Sequence, residues 1–125
     1  MAKRKVTNLT DVSEITCVIQ KGKADDIVQS LLDAGIQGAT VHSGVGTGIR
    51  ERMGLLGVAV EVEREIVQVL VSKDQVDRIF ERMYLAGRLD TPGMGYMYAA
   101  PLVQAATYIP AHLLEDKDSM SSMGM

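Results

Sequence analysis

The sequence predicts an α+β fold made of two strand–helix–strand halves, with both helices on one face of an antiparallel sheet. Three observations carry this reading. Glu14–Gln20 and Ile66–Val71 are runs rich in β-branched residues. Each is followed by an apolar helical stripe, Ile27, Val28, Leu31 and Leu32 in the first half and Val76, Ile79, Phe80 and Met83 in the second. A further short apolar run closes each half, Ile36–Val41 and Tyr96–Ala100.

Residues Ala2 to Asp11 are polar and are expected to be loosely held. In the first strand, Cys17 reads as a small buried hydrophobe, because no neighbouring residue would lower its pKa. Lys21-Gly22-Lys23 breaks the strand, and Asp25 and Asp26 suit the positive end of a helix dipole. Gly35 is expected as a left-handed C-terminal cap. The second strand, Ile36–Val41, ends at the glycine loop Gly44-Val45-Gly46-Thr47-Gly48. Residues Ile49–Gly57 begin polar and turn apolar, and Val58, Val60 and Val62 then alternate with Ala59, Glu61 and Glu63. Arg64 and Glu65 lead into the third strand. Ser72-Lys73-Asp74-Gln75 matches a capping box before the second helix, and Gly87 is its expected stop. Arg88–Gly95 is dense in turn residues, Tyr96–Ala100 is the fourth strand, and Pro101 interrupts it. Leu102–Ile109 fits either a short helix or an edge extension. The order is that of the ferredoxin-like βαββαβ fold, the split βαβ. The expected organisation is a flexible segment over 1–12, one domain over 13–110, and a disordered acidic, Met-rich tail over 111–125. The open sheet face is apolar enough to need covering by other subunits.

Composition narrows the function. At 125 residues the chain fits one domain, and a net charge of -3 argues against a general nucleic-acid binder. The single cysteine suits a reducing, cytoplasmic location. The basic start, Met1–Lys5, is not followed by an apolar run of signal-peptide type, and no run reaches the ~20 apolar residues of a membrane span.

The glycine loop is the main candidate for chemistry. Glycines let backbone approach a ligand closely, and successive N–H groups can converge on an anion. The spacing is neither a dinucleotide fingerprint nor a P-loop, whose Gly-Lys-Ser/Thr is missing. His42 has no nucleophile beside it in any recognisable motif and reads as a strand residue making an ordinary hydrogen bond. His42, His112 and Cys17 lack metal-ligand spacing. A binding device, not a catalyst, is expected.

Taken together, these stretches resemble the PII signal-transduction family. Lys23-Ala24-Asp25-Asp26-Ile27 is similar to its K-x-D-D-V helix start, and Ala34–Val41 to its G-I-x-G-M-T-V signature. Gly46-Thr47-Gly48 falls on its G-F-G before the long T-loop, and Ile66–Val71 with Asp74-Gln75-Val76 on its third strand and second helix. The resemblance covers about Ser13–Ile109. It implies a non-enzymatic homotrimer, cytoplasmic, with a role such as nitrogen regulation. It also implies an adenine nucleotide (ATP or ADP, alternatively AMP or cyclic AMP, with Mg accompanying ATP) in clefts between subunits. The implied binding residues are Thr40, Gly46, Thr47, Gly48, Arg64, Arg88, Gly93 and Gly95. Loop 49–63 would act on a partner protein, with a membrane transporter as the candidate and no direct membrane insertion.

The departures from the family pattern shape the expected site. Met94 replaces the acidic residue of the family's G-D-G, Tyr96 its following lysine, and Thr107 and Ile109 its two C-terminal arginines. Phosphate contacts are then expected to be weaker, or to come from Arg50, Arg52 and Arg88. The alternative is a CutA-like trimer of the same fold, linked to metal tolerance and binding no nucleotide, which the Met-rich tail favours.

Overall fold

Two segments of chain, residues 6–47 and 61–108, are described by the computed structural model. Within Asp11–Leu102, one four-stranded antiparallel sheet carries two helices. Its elements are β2 (Val12–Gln20), α1 (Ala24–Asp33), β3 (Thr40–Thr47), β4 (Glu61–Ser72), α2 (Val76–Ala86) and β5 (Gly95–Pro101). The strand order is β3-β4-β2-β5, as expected for the ferredoxin-like arrangement. A separate unit holds β1 (Asn8–Leu9) paired antiparallel with β6 (Ala105–Ala106). As far as it is described, to Tyr108, the segment from Leu102 forms neither a helix nor a strand of the main sheet.

The core follows from alternation along the central strands. Ile15, Cys17 and Ile19 of β2 and Val67, Val69 and Val71 of β4 are buried, and all pack in one cluster with Ile27, Leu31, Ile79 and Met83 of the helices. Period-2 strands and period-3.6 helices thus present matching apolar faces. Cys17 is fully buried, which pushes its thiol up to about 11 and leaves it inert, as read from the sequence.

The opposite face carries Thr40, His42 and Gly44 of β3, Arg64, Ile66, Gln68 and Leu70 of β4, Val18 of β2, and Tyr96 and Tyr98 of β5, by their registers. Tyr96, Tyr98 and Leu70 are 61%, 49% and 48% exposed, so no element within this unit covers them. The two tyrosine rings stack with centroids 6.5 Å apart. His42 is exposed and, among the described residues, its side chain makes no hydrogen bond, contrary to expectation.

Several boundaries differ from the sequence reading for identifiable reasons. The second strand starts at Thr40, because Gly38 is left-handed at φ 85 and bends the chain just before it. Gly44 and Gly46 belong to that strand and not to a loop, since Arg64 and Val62 of β4 pair with them. β4 is continuous from Glu61, so Arg64 and Glu65 lie within it. The capping box does not form. The Ser72 hydroxyl donates to Asp74 Oδ1 at 2.7 Å, a 3₁₀ turn covers Lys73–Gln75, and Gln75 Oε1 accepts from Arg78 Nε at 2.7 Å. Pro101 is the last residue of β5, on an edge strand where its missing N–H costs no ladder bond.

Both helices end in the same motif with different residues. In α1, Ile36 N donates to Leu31 O (2.8 Å) and Gly35 N to Leu32 O (3.0 Å), with Gly35 left-handed at φ 81 as expected. In α2, Leu89 N donates to Tyr84 O (3.2 Å) and Arg88 N to Leu85 O (3.2 Å), so Arg88 takes the left-handed place at φ 54. Gly87, the expected stop, instead has φ -83. Its lack of a side chain serves packing, for a Cβ there would lie 2.9 Å from Ile19 Cδ1 and 3.0 Å from Ile27 Cδ1.

Candidate functional site: a glycine-lined strand end and the loop before the last strand

Gly44, Arg64 and Gln20 lie side by side across β3, β4 and β2, because Gly44 pairs with Arg64 and Arg64 with Gln20. The loop from α2 to β5 arrives at the same place, since β5 begins at Gly95 opposite Ile19. Gln20 holds it twice: its backbone N donates to Met94 O and its Nε2 to Gly93 O, both at 3.0 Å. Arg64 Nη1 lies 3.4 Å from Gly93 O and 3.5 Å from Met94 O, the long end of hydrogen bonding. The two glycines are required by backbone conformation. Gly93 has φ 79, and at Gly95, with φ 152, a Cβ would stand 2.0 Å from Val18 O. Between them the Met94 side chain is buried in the core, anchoring the loop from below. That packing explains why an apolar residue occupies this place.

The electrostatics separate Arg64 from its acidic neighbours. Successive side chains on a strand point to opposite faces, which places Glu63 and Glu65 away from Arg64. Both are engaged there. Glu63 Oε2 is 2.7 Å from Lys21 Nζ, and this partner lowers the Glu63 pKa and raises that of Lys21. Glu65 Oε1 accepts hydrogen bonds from Gly22 N and, at 3.4 Å, Ala24 N, placing a carboxylate at the start of α1. That start has no side-chain cap of its own.

The site residues named from the sequence are only partly brought together. Arg64, Gly93 and Gly95 converge as described, and Gly46 and Thr47 continue β3 opposite Val62 and Glu61. Thr40 shares their strand but lies farther along it, opposite Gln68. Arg88 lines a different cavity, with Lys23, Asp26, Thr91 and Met94 but without Arg64, Gln20 or Gly44. Gly48, Arg50, Arg52, most of loop 49–63 and the tail 111–125 lie outside the described residues. Gln20 and Glu65 were missed, and no local pattern marks either, because each acts on backbone from another part of the chain.

The family model for nitrogen regulatory protein P-II matches residues 12–109. The chain belongs to the PII family. No curated protein matches it in a sequence comparison. Among solved structures, this PII protein is similar to the crystal structure of Arabidopsis thaliana PII bound to citrate. The TM-score is 0.61 and the identity 20%, over 74% of this chain and 78% of that one. At that identity the likeness speaks for the fold, and the family match speaks for a PII-like regulator. No helix among the described residues is long and apolar enough to cross a membrane.

Proposed function

We propose that this PII protein is a non-enzymatic, trimeric, cytoplasmic regulator. It binds an adenine nucleotide, ATP or ADP or a related monophosphate, between subunits and passes the signal to a partner protein through loop 49–63. The observation that supports this most is the position of Arg64, between the glycine-lined end of β3 and the Gly93–Gly95 turn. Its contacts to two neutral carbonyls are long, at 3.4 and 3.5 Å. A phosphate would offer it shorter, charge-assisted and bidentate bonds. Gly93 and Gly95 leave backbone bare beside it, Gly46 and Thr47 continue β3 beyond Gly44 on its other side, and magnesium accompanies ATP. That Arabidopsis thaliana PII holds citrate supports small-molecule binding in this family. The exposed Tyr96, Tyr98 and Leu70 support the trimer, because an apolar sheet face of this kind is normally buried against another copy. A role in nitrogen regulation and a membrane transporter as partner extend the same reading. The CutA-like alternative rests on the Met-rich tail, which lies outside the described residues, and gains nothing from those that are described.

Calorimetric titration with ATP, ADP, AMP and cyclic AMP, each with and without magnesium, tests the proposal. Saturable heat with at least one nucleotide is expected, together with a trimer by light scattering. Absence of heat with all four, or a monomer in solution, refutes it.

A further inference from the structure

We propose that the cavity between the start of α1 and the α2–β5 loop is a second ligand site, built for a small zwitterion of the α-amino acid class. Four polar residues line it: Lys23 and Asp26 at the start of α1, and Arg88 and Thr91 from the loop. Its volume is about 290 Å³, close to the lower bound of small-molecule pockets. Residues carrying two cations, a carboxylate and a hydroxyl thus border one space, and all four are exposed. Among the described residues, none of the four side chains is in an ion pair or a side-chain hydrogen bond. They match an amino acid group by group, with Arg88 and Lys23 for its carboxylate, Asp26 for its ammonium and Thr91 for either.

The backbone of Arg88 is consistent with this assignment. Both helices close with the same pair of hydrogen bonds, and α1 puts a glycine at the left-handed position. In α2 that position holds an arginine at φ 54, a conformation that disfavours any residue with a Cβ. Glycine would be the more stable choice, so the strain is retained for what the side chain does. Arg88 is exposed and lines the cavity, and among the described residues its side chain makes no hydrogen bond or ion pair that would account for it. Met94 is in the same wall, and its carbonyl is the one that Gln20 and Arg64 hold. An occupant would therefore stiffen the turn that faces Arg64, a short route for coupling the two sites.

The test is a thermal-shift screen of the full chain with each standard L-amino acid at millimolar concentration, followed by calorimetry on those that raise Tm. Matched carboxylates lacking the amine, such as propionate against alanine, run beside them. At least one amino acid is expected to bind saturably. Arg88→Gly is expected to unfold at a higher temperature than the parent yet bind that amino acid at least tenfold more weakly, and Asp26→Asn to show the same weakening. The proposal is overturned if no amino acid binds, if the carboxylate alone binds as well, or if either variant binds like the parent. A lower Tm for Arg88→Gly would remove the argument from strain.

Discussion

Gly95 can be tested apart from any ligand by replacing it with alanine. The added Cβ would lie 2.0 Å from Val18 O, 2.9 Å from Ile19 Cα and 3.0 Å from Val18 C, all backbone atoms of β2. β2 is paired on both sides, with β4 and with β5, and cannot retreat without breaking a ladder. The φ of 152 is closed to alanine as well. A strained backbone costs about 1–3 kcal/mol, and overpacking a similar roughly 1–3 kcal/mol. A loss of about 2–6 kcal/mol is therefore expected, a large share of the ~5–15 kcal/mol that stabilises a typical domain. Gly35→Ala is the control. Gly35 is also left-handed, at φ 81, but a Cβ there meets nothing within 4 Å, so the cost should be only about 1–2 kcal/mol. Urea unfolding of both variants, followed by circular dichroism, measures the difference. Equal small losses would show that the turn moves away from β2, and would refute the reasoning that this glycine is dictated by close backbone approach.

Three other outcomes follow from the geometry. Glu65→Ala removes the acceptor of Gly22 N and Ala24 N and the negative charge at the start of α1. It should lower stability by about 0.5–2 kcal/mol, with Glu65→Gln recovering part of the loss in the same unfolding assay. For Cys17, the folded pKa is raised from 9.0 to about 11 by burial. The folded state then holds a proton that the unfolded chain releases, so this group's contribution is complete below about pH 9 and is lost as pH rises toward 11. The stability difference between the parent and Cys17→Ala should shrink over that window, and a pH-independent difference would contradict the burial argument. On the reading of Arg64 as a phosphate contact, Arg64→Ala should weaken calorimetric nucleotide affinity at least tenfold (about 1.4 kcal/mol). Unchanged affinity would leave Arg64 as a structural tie to Gly93 and Met94.

The sequence by itself determined the class of sheet and most of the core, although Leu32 of the expected stripe is 51% exposed and Met94 of the second loop is buried instead. The β-branched runs Glu14–Gln20 and Ile66–Val71, with helical spacing in Ile27–Leu31 and Val76–Met83, are read without tertiary information, because an apolar face follows from local composition and period. It also marked the two glycine-bearing segments on either side of Arg64, and it named Arg64. What it did not carry were the properties that one segment imposes on another. Gly44 and Gly46 are strand only because β4 offers them partners, which outweighs glycine's weak preference for extended structure. Gln20 and Glu65 act on backbone groups of a distant loop and helix, and nothing in their own neighbourhood announces it. Gly87 and Arg88 show the division most clearly. The helix stop was legible from Ala86-Gly87, but packing against Ile19 and Ile27 reserves the glycine for close contact and hands the left-handed turn to the arginine. Only the folded chain could decide that exchange, because it depends on how near α2 lies to β2 and α1.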